Sequence, residues 1–218
     1  MPSNPREEVI RAALKEEFEG NKMGFFRRFK KSMFNSSKFF DSVKSEQGIG
    51  TPLKFAFVLY AVATLFFAVV LFLLSSIIMA FLVPFIGQSS ILDALGLSSI
   101  LIIGMFLFMI ISGFVGAGIL HVFVKLLRGK GNYTATYKSV VYSQSPIILM
   151  MILGMIPVIG IAFLAVFSIF EAYVLIVGIS RLHEISKKRA LAALLIPSII
   201  AIILVVIFAM SLFSTISA

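Results

Sequence analysis

Long apolar stretches alternate along this chain with short clusters of charge, and the lengths of both set the reading. Residues 53–84, 100–127, 139–156, 161–180 and 190–213 are almost wholly apolar, with Lys54, Lys125 and Glu171 their only charged side chains. About 20 apolar residues in a helix cross the ~30 Å hydrocarbon core of a bilayer. Each stretch therefore reads as a transmembrane helix, the first long enough to tilt or to project beyond the lipid. The expected fold is all-α, a polytopic membrane bundle of five transmembrane helices over 51–218. A cytoplasmic N-terminal region with an amphipathic basic helix, 1–50, precedes it.

Two shorter helical patterns lie in that region. Over 4–20, Asn4 is a good N-cap, Pro5 suits the first helical position, and Ile10, Leu14 and Phe18 recur on one face before Gly20. Over 23–44, Phe25, Phe26, Phe29, Met33, Phe40 and Val43 fall within an arc of about 100°. Arg27, Arg28, Lys30, Lys31 and Lys38 lie opposite, Phe34 and Phe39 fall outside the arc, and Asn35-Ser36-Ser37 can divide the segment. A Phe-rich face backed by a basic one fits a helix in the headgroup layer, with 25–31 as the membrane-surface residues. Packing on the protein's own membrane domain is the alternative.

The connections carry the polar residues. Gly48-Ile49-Gly50 turns the chain, and Thr51-Pro52 opens the first span. Residues 87–99, with Asp93 the only charge, read as an outer loop; 129–138 as a cytoplasmic loop; and 157–160 as a tight outer turn.

Charge then orients the bundle. Of the 19 Lys and Arg, eleven lie at or before the start of the first span, four between the second and third, and four between the fourth and fifth. None lies in the outer loops or the tail, so five spans satisfy the positive-inside rule throughout. The N-terminus is expected in the cytoplasm and the C-terminus outside. The net charge of +9 is thereby assigned to anionic headgroups of the bilayer and not to nucleic acid.

Candidate chemistry is sparse. With no Cys, the chain can have no disulfide or thiolate site. His121 and His183 lie on different segments with no third ligand in view, so no metal and no cofactor is expected. Asn35-Ser36-Ser37 and Asn132-Tyr133-Thr134 match the glycosylation pattern on the cytoplasmic side, where it has no meaning. Arg128-Gly129-Lys130-Gly131 lacks the spacing of a phosphate loop. No paired-carboxylate, His-metal or Ser-His arrangement is present, so an enzyme is not expected.

Two features of the spans stand out. Ser112 with Gly116, and Gly113 with Ala117, are small residues four apart, suited to close helix packing within the chain, in a homo-oligomer or against another membrane protein. Glu171 lies ten residues before Arg181, about 15 Å deep and near the midplane. A carboxylate there must face the bundle, find a partner or stay protonated. Tyr142, Ser143, Gln144 and Ser145, just before Pro146, are the candidate partners, and a proton or ion site is the functional version of the same cluster.

Several motifs resemble the Yip family, the Ypt/Rab-interacting membrane proteins. They are Gly129-Lys130-Gly131-Asn132-Tyr133-Thr134, Tyr142-Ser143-Gln144-Ser145-Pro146, Ile156-Pro157-Val158-Ile159-Gly160, and the run from Gly178 through Arg181-Leu182-His183-Glu184 to Ala190. The likeness runs from Lys38 to the C-terminus. It implies five spans, a cytoplasmic N-terminus and a role in membrane organisation or vesicle traffic. The Asp-Leu-Tyr-Gly-Pro motif of the eukaryotic members is absent, which argues against a Rab-type GTPase partner. The short N-terminus and loops are closer to the prokaryotic members, implying a prokaryotic cell membrane. The expected function is a non-enzymatic membrane adaptor acting through its cytoplasmic face; the alternative is a small transporter or channel built on Glu171.

Overall fold

The computed structural model describes residues 23–86, 89–156 and 159–216. The helix expected over 4–20, and residues 157–158 of the expected outer turn, lie outside them.

Two short helices come first, α1 (Phe25–Phe34) and α2 (Ser36–Ser42). Asn35 leaves the helical region at φ −145°, ψ 50°, and Ser36 Oγ donates to Ser32 O at 2.6 Å. That break re-phases the pattern. A single helix over 23–44 puts Phe39 outside the apolar arc, whereas the turned α2 buries Phe39 and Phe40 side by side.

Pro52 sits in the first turn of α3 (Gly50–Ile86), where its missing N–H costs nothing. The following helix, α4 (Ser89–Leu126), starts eleven residues before the expected 100–127 span. The outer loop expected over 87–99 is therefore largely helical. Helix-forming Leu and Ala in 91–97 have no Pro among them to stop the helix.

The stretch 139–156, expected as one span, is divided between α5 (Tyr133–Ser143) and α6 (Ile147–Gly154). Pro146 causes the interruption, because it has no N–H for the carbonyl of Tyr142 one turn earlier. Two long helices complete the chain, α7 (Ile159–His183) and α8 (Lys187–Ile216). Among the described residues four helices are long and apolar enough to cross a membrane, within 50–77, 99–126, 160–183 and 187–211. Together α5 and α6 run antiparallel to α7. Thr136 meets His183 at one end, and Gly154 packs beside Gly160 and Leu164 at the other.

Both α4 and α7 end in Schellman caps, which set the loops that follow. Gly129 N–H donates to Val124 O with Arg128 at φ 68°, and Ile185 N–H donates to Ser180 O with Glu184 at φ 55°.

Packing is concentrated at one end of the bundle. Phe39, Phe40, Val43, Phe55, Leu59, Tyr137, Val141, Tyr142, Val174 and Val177 form the main buried cluster, and Leu120, Val124, Ile179, Ile185, Ala190 and Ala193 a second. Further along α3, α4, α7 and α8 the large apolar side chains face outward, as a lipid-immersed bundle requires. The fold is that of a multi-pass α-helical membrane protein.

Candidate functional site

The break at Pro146 is the hub of the packed end. Ser145 Oγ sits at the lost backbone bond, 2.8 Å from Tyr142 O. Ser145 Oγ also lies 2.6 Å from Ser32 Oγ of α1. Ser32 Oγ also lies 2.9 Å from Phe29 O, and each hydroxyl has one proton, so one of the two serines donates across the pair while the other donates to its backbone carbonyl. Gln144, the next residue back, accepts from Tyr60 OH of α3.

Tyr142 carries the hub to the N-terminal helices. Its hydroxyl lies 2.9 Å from Arg28 Nη1 and donates to Glu46 Oε2 at 3.3 Å. Arg28 Nη1 reaches Glu46 Oε1 at 2.5 Å, and Arg28 Nε donates to Met23 O at 2.9 Å. Arg28 and Glu46 side chains are 3% and 1% exposed, so this is a fully buried ion pair, closed by Phe39 and Phe55 edge-on to the Tyr142 ring. Lys138, one turn before Tyr142, is also buried and donates to Val43 O at 2.9 Å and to Glu46 O. Burial pulls its ammonium below the ordinary lysine value, opposed by the Glu46 charge and reinforced by Arg28.

Beside the hub the two histidines meet. Thr136 Oγ1 lies 2.7 Å from His121 Nδ1 and 2.9 Å from His183 Nε2. His183 is fully buried, and its Nδ1 has no hydrogen-bond partner. A bare lone pair there is less costly than an orphaned N–H, so the proton belongs on Nε2, which donates to Thr136; Thr136 in turn donates to His121. Gly129 and Gly131 close over this ring; a Cβ on Gly131 would lie 2.8 Å from His183 Nδ1 and 2.7 Å from Leu182 O. Among the described residues no group of three or more His, Cys, Asp and Glu could hold a metal ion.

The residues singled out from the sequence separate in space. Of the membrane-surface set, Phe26, Arg27 and Lys30 are exposed, Phe25, Phe29 and Lys31 are half-buried, and Arg28 is turned inward to Glu46. Of the small residues on α4, Gly113 packs on Tyr60 and Ala117 is buried, whereas Ser112 and Gly116 face outward. Glu171 is half-buried on α7, and among the described residues it forms no hydrogen bond with Tyr142, Ser143, Gln144 or Ser145. Ser143 Oγ is engaged by Val140 O. The polar start of the third stretch makes its hydrogen bonds within its own break, to α1 and, through Gln144, to Tyr60 of α3, which is within electrostatic reach of Glu171. Sequence reasoning missed Glu46 and Lys138. The available signal was a lone Glu just before the first span and a Lys set one turn ahead of Tyr142.

The packed polar end and lipid-facing remainder define a multi-pass integral membrane protein. A family profile described as Yip1 domain matches residues 30–210, and the chain belongs to that family. No curated protein and no solved structure matches it.

Proposed function

We propose that the protein is a non-enzymatic organiser of the cytoplasmic membrane surface, with α1 and α2 docked on the bundle as its working face. The observation that carries this reading is the buried Arg28–Glu46–Tyr142 clamp. It holds α1 rigidly while leaving Phe26 and Phe34 exposed at 84% and 76% beside Arg27 and Lys30. Large exposed aromatics among basic side chains suit an anionic headgroup layer.

Five passes, with the N-terminus cytoplasmic and the C-terminus outside, accompany this reading. Glu184, after α7, pairs with Lys44 before α3 at 2.5 Å and with Lys130 after α4 at 3.2 Å. Residues 44, 130 and 184 thus lie at one end of the bundle, which supports the reading that α5 and α6 together carry the chain across ahead of α7. A prokaryotic cell membrane and a homo-oligomer or membrane-protein partner belong to the same proposal.

An environment-sensitive fluorophore on Phe26→Cys or Phe34→Cys in the full chain tests the working face. In nanodiscs of anionic lipid its emission should shift to the blue and return toward the aqueous value in high salt. Identical aqueous emission in anionic and neutral nanodiscs would remove the headgroup role.

A further inference from the structure

Lys54, Lys125 and Glu171 are the charged side chains of the long apolar stretches, and the two lysines differ in what they touch. Lys125 Nζ, near the end of α4, donates to Gly129 O at 3.2 Å. Lys54, near the start of α3, is exposed and among the described residues forms no hydrogen bond or ion pair. A lysine at the entry of a span lays its stem on apolar surface and keeps its ammonium in the headgroup layer.

That surface includes a slot between α1 and the start of α3, about 190 Å³ in volume. Thr51, Lys54, Phe55 and Val58 line it from one face of α3, at the spacing of helix neighbours. Met23 and Phe25 line it from the N-terminal segment, with the Phe25 and Phe55 ring centroids 5.0 Å apart. Among the described residues no carboxylate lines the slot, and Arg28, which does, is held by Glu46 and Tyr142. Lys54 is therefore the charge that an occupant meets.

The lining changes from cationic to apolar along the slot. Thr51 and Lys54 lie at the entry of the span, and Val58, one turn deeper, is exposed beside Phe57. A soluble anion would use only the first end and a neutral apolar molecule only the second, whereas an amphiphile uses both. The volume is below the ~300–1,000 Å³ of pockets that enclose a drug-sized molecule, so the slot takes one end of a lipid and leaves its chains in the bilayer. We propose that this slot binds an anionic phospholipid. Its phosphate sits on Lys54 and Thr51, and its glycerol and first acyl carbons lie against Phe25, Phe55 and Val58. The site rests on the surface role proposed above, which it deepens by giving that role a defined ligand.

The test is native mass spectrometry of the full chain in detergent, titrated with phosphatidylglycerol and, separately, with phosphatidylcholine of the same acyl chains. Wild type should retain phosphatidylglycerol saturably and about fivefold more tightly than phosphatidylcholine, the preference that a single Lys supplies at an anionic surface. Lys54→Met should abolish that preference and Lys54→Arg should keep it. Val58→Phe fills the slot from an exposed position, so it should weaken phosphatidylglycerol by a similar factor with an unchanged melting temperature in lipid-free detergent. Equal retention of the two lipids by wild type, or a wild-type preference in Lys54→Met, would overturn the site, as would wild-type affinity in Val58→Phe. The headgroup role of Phe26 and Phe34 is read separately, by a fluorophore on Phe34→Cys in the Lys54→Met chain. Its blue shift in anionic nanodiscs should persist there, which assigns the lost lipid preference to the slot and not to the surface as a whole.

Discussion

The ring of Phe40 lies where a side chain on residue 178 would be, so that α2 seats on α7 only because position 178 is glycine. A Cβ on Gly178 would fall 2.7 Å from Phe40 Cζ, and the ring, with 0% exposure, has nowhere to move. Gly178→Ala should therefore destabilise the protein by about 1–3 kcal/mol, the range for overpacking a core. Phe40→Leu in the same chain should recover part of the loss. Thermal unfolding in detergent measures both. An unchanged melting temperature for Gly178→Ala would mean that α2 is not seated on this glycine.

Arg28 and Glu46 are coupled more strongly than surface charges because neither reaches water. Removing one partner takes a buried counter-charge from the other, so Arg28→Met and Glu46→Leu should each cost about 3–5 kcal/mol. The double variant should cost less than the two losses together, by at least ~1 kcal/mol. Additive losses would show that the two residues act independently.

How far the sequence discloses this end of the molecule differs from residue to residue. Periodicity and hydropathy identify the long helices, since lipid demands unbroken apolar runs that no other solvent demands. Pro146 also announces a freed carbonyl at Tyr142. What periodicity does not carry is which side of a short helix meets protein. Arg28 and Lys30 both fall outside the apolar arc by angle, yet Arg28 finds Glu46 eighteen residues away and Lys30 stays exposed. That choice depends on the turn at Asn35 and on the partners beyond it. Glu171, conspicuous in sequence for its depth, forms no hydrogen bond with the hub among the described residues; Gln144 accepts instead from Tyr60, which is within electrostatic reach of Glu171.

Arg128 occupies the left-handed position of the α4 cap at φ 68°, where a Cβ is disfavoured and glycine is usual. Its side chain is exposed, so Arg128→Gly removes backbone strain without uncovering a core. The melting temperature should rise, corresponding to about 0.5–1 kcal/mol. A fall would show that the guanidinium has a role that outweighs the strain.

The clasp of Lys44 and Lys130 on Glu184 should be sensitive to acid. Hydrogen bonds from Lys44 and then Lys130 hold the Glu184 carboxyl below its ordinary value. A carboxyl lowered on folding binds fewer protons in the native state than in the unfolded one, so stability rises with pH between the two values. The contribution is complete above the ordinary carboxylate value near 4.5 and fades as pH falls through the lowered one. Comparing wild type with Glu184→Gln by thermal unfolding from pH 7 to pH 3 should show a stability gap that closes toward the acid end, and that is smaller at high salt. A gap that stays constant with pH would mean that the carboxylate charge contributes nothing there.

The same clasp makes the topology testable, because Glu184 cannot touch Lys44 and Lys130 from opposite sides of a bilayer. Suppose the broken pair α5 and α6 did not cross. Then α7 would deliver Arg181, Lys187, Lys188 and Arg189 to the outer surface, against the positive-inside rule, and both ion pairs would be impossible. If the pair does cross, all 19 Lys and Arg stay on the inner side. The chain has no Cys, so a single introduced thiol reports its own location without background. In intact cells an impermeant maleimide should label Gln88→Cys and leave Ser45→Cys, Lys130→Cys and Lys187→Cys unmodified until the membrane is permeabilised. Labelling of Lys187→Cys in intact cells would mean that α5 and α6 turn back within the membrane, and the five-pass arrangement would have to be abandoned.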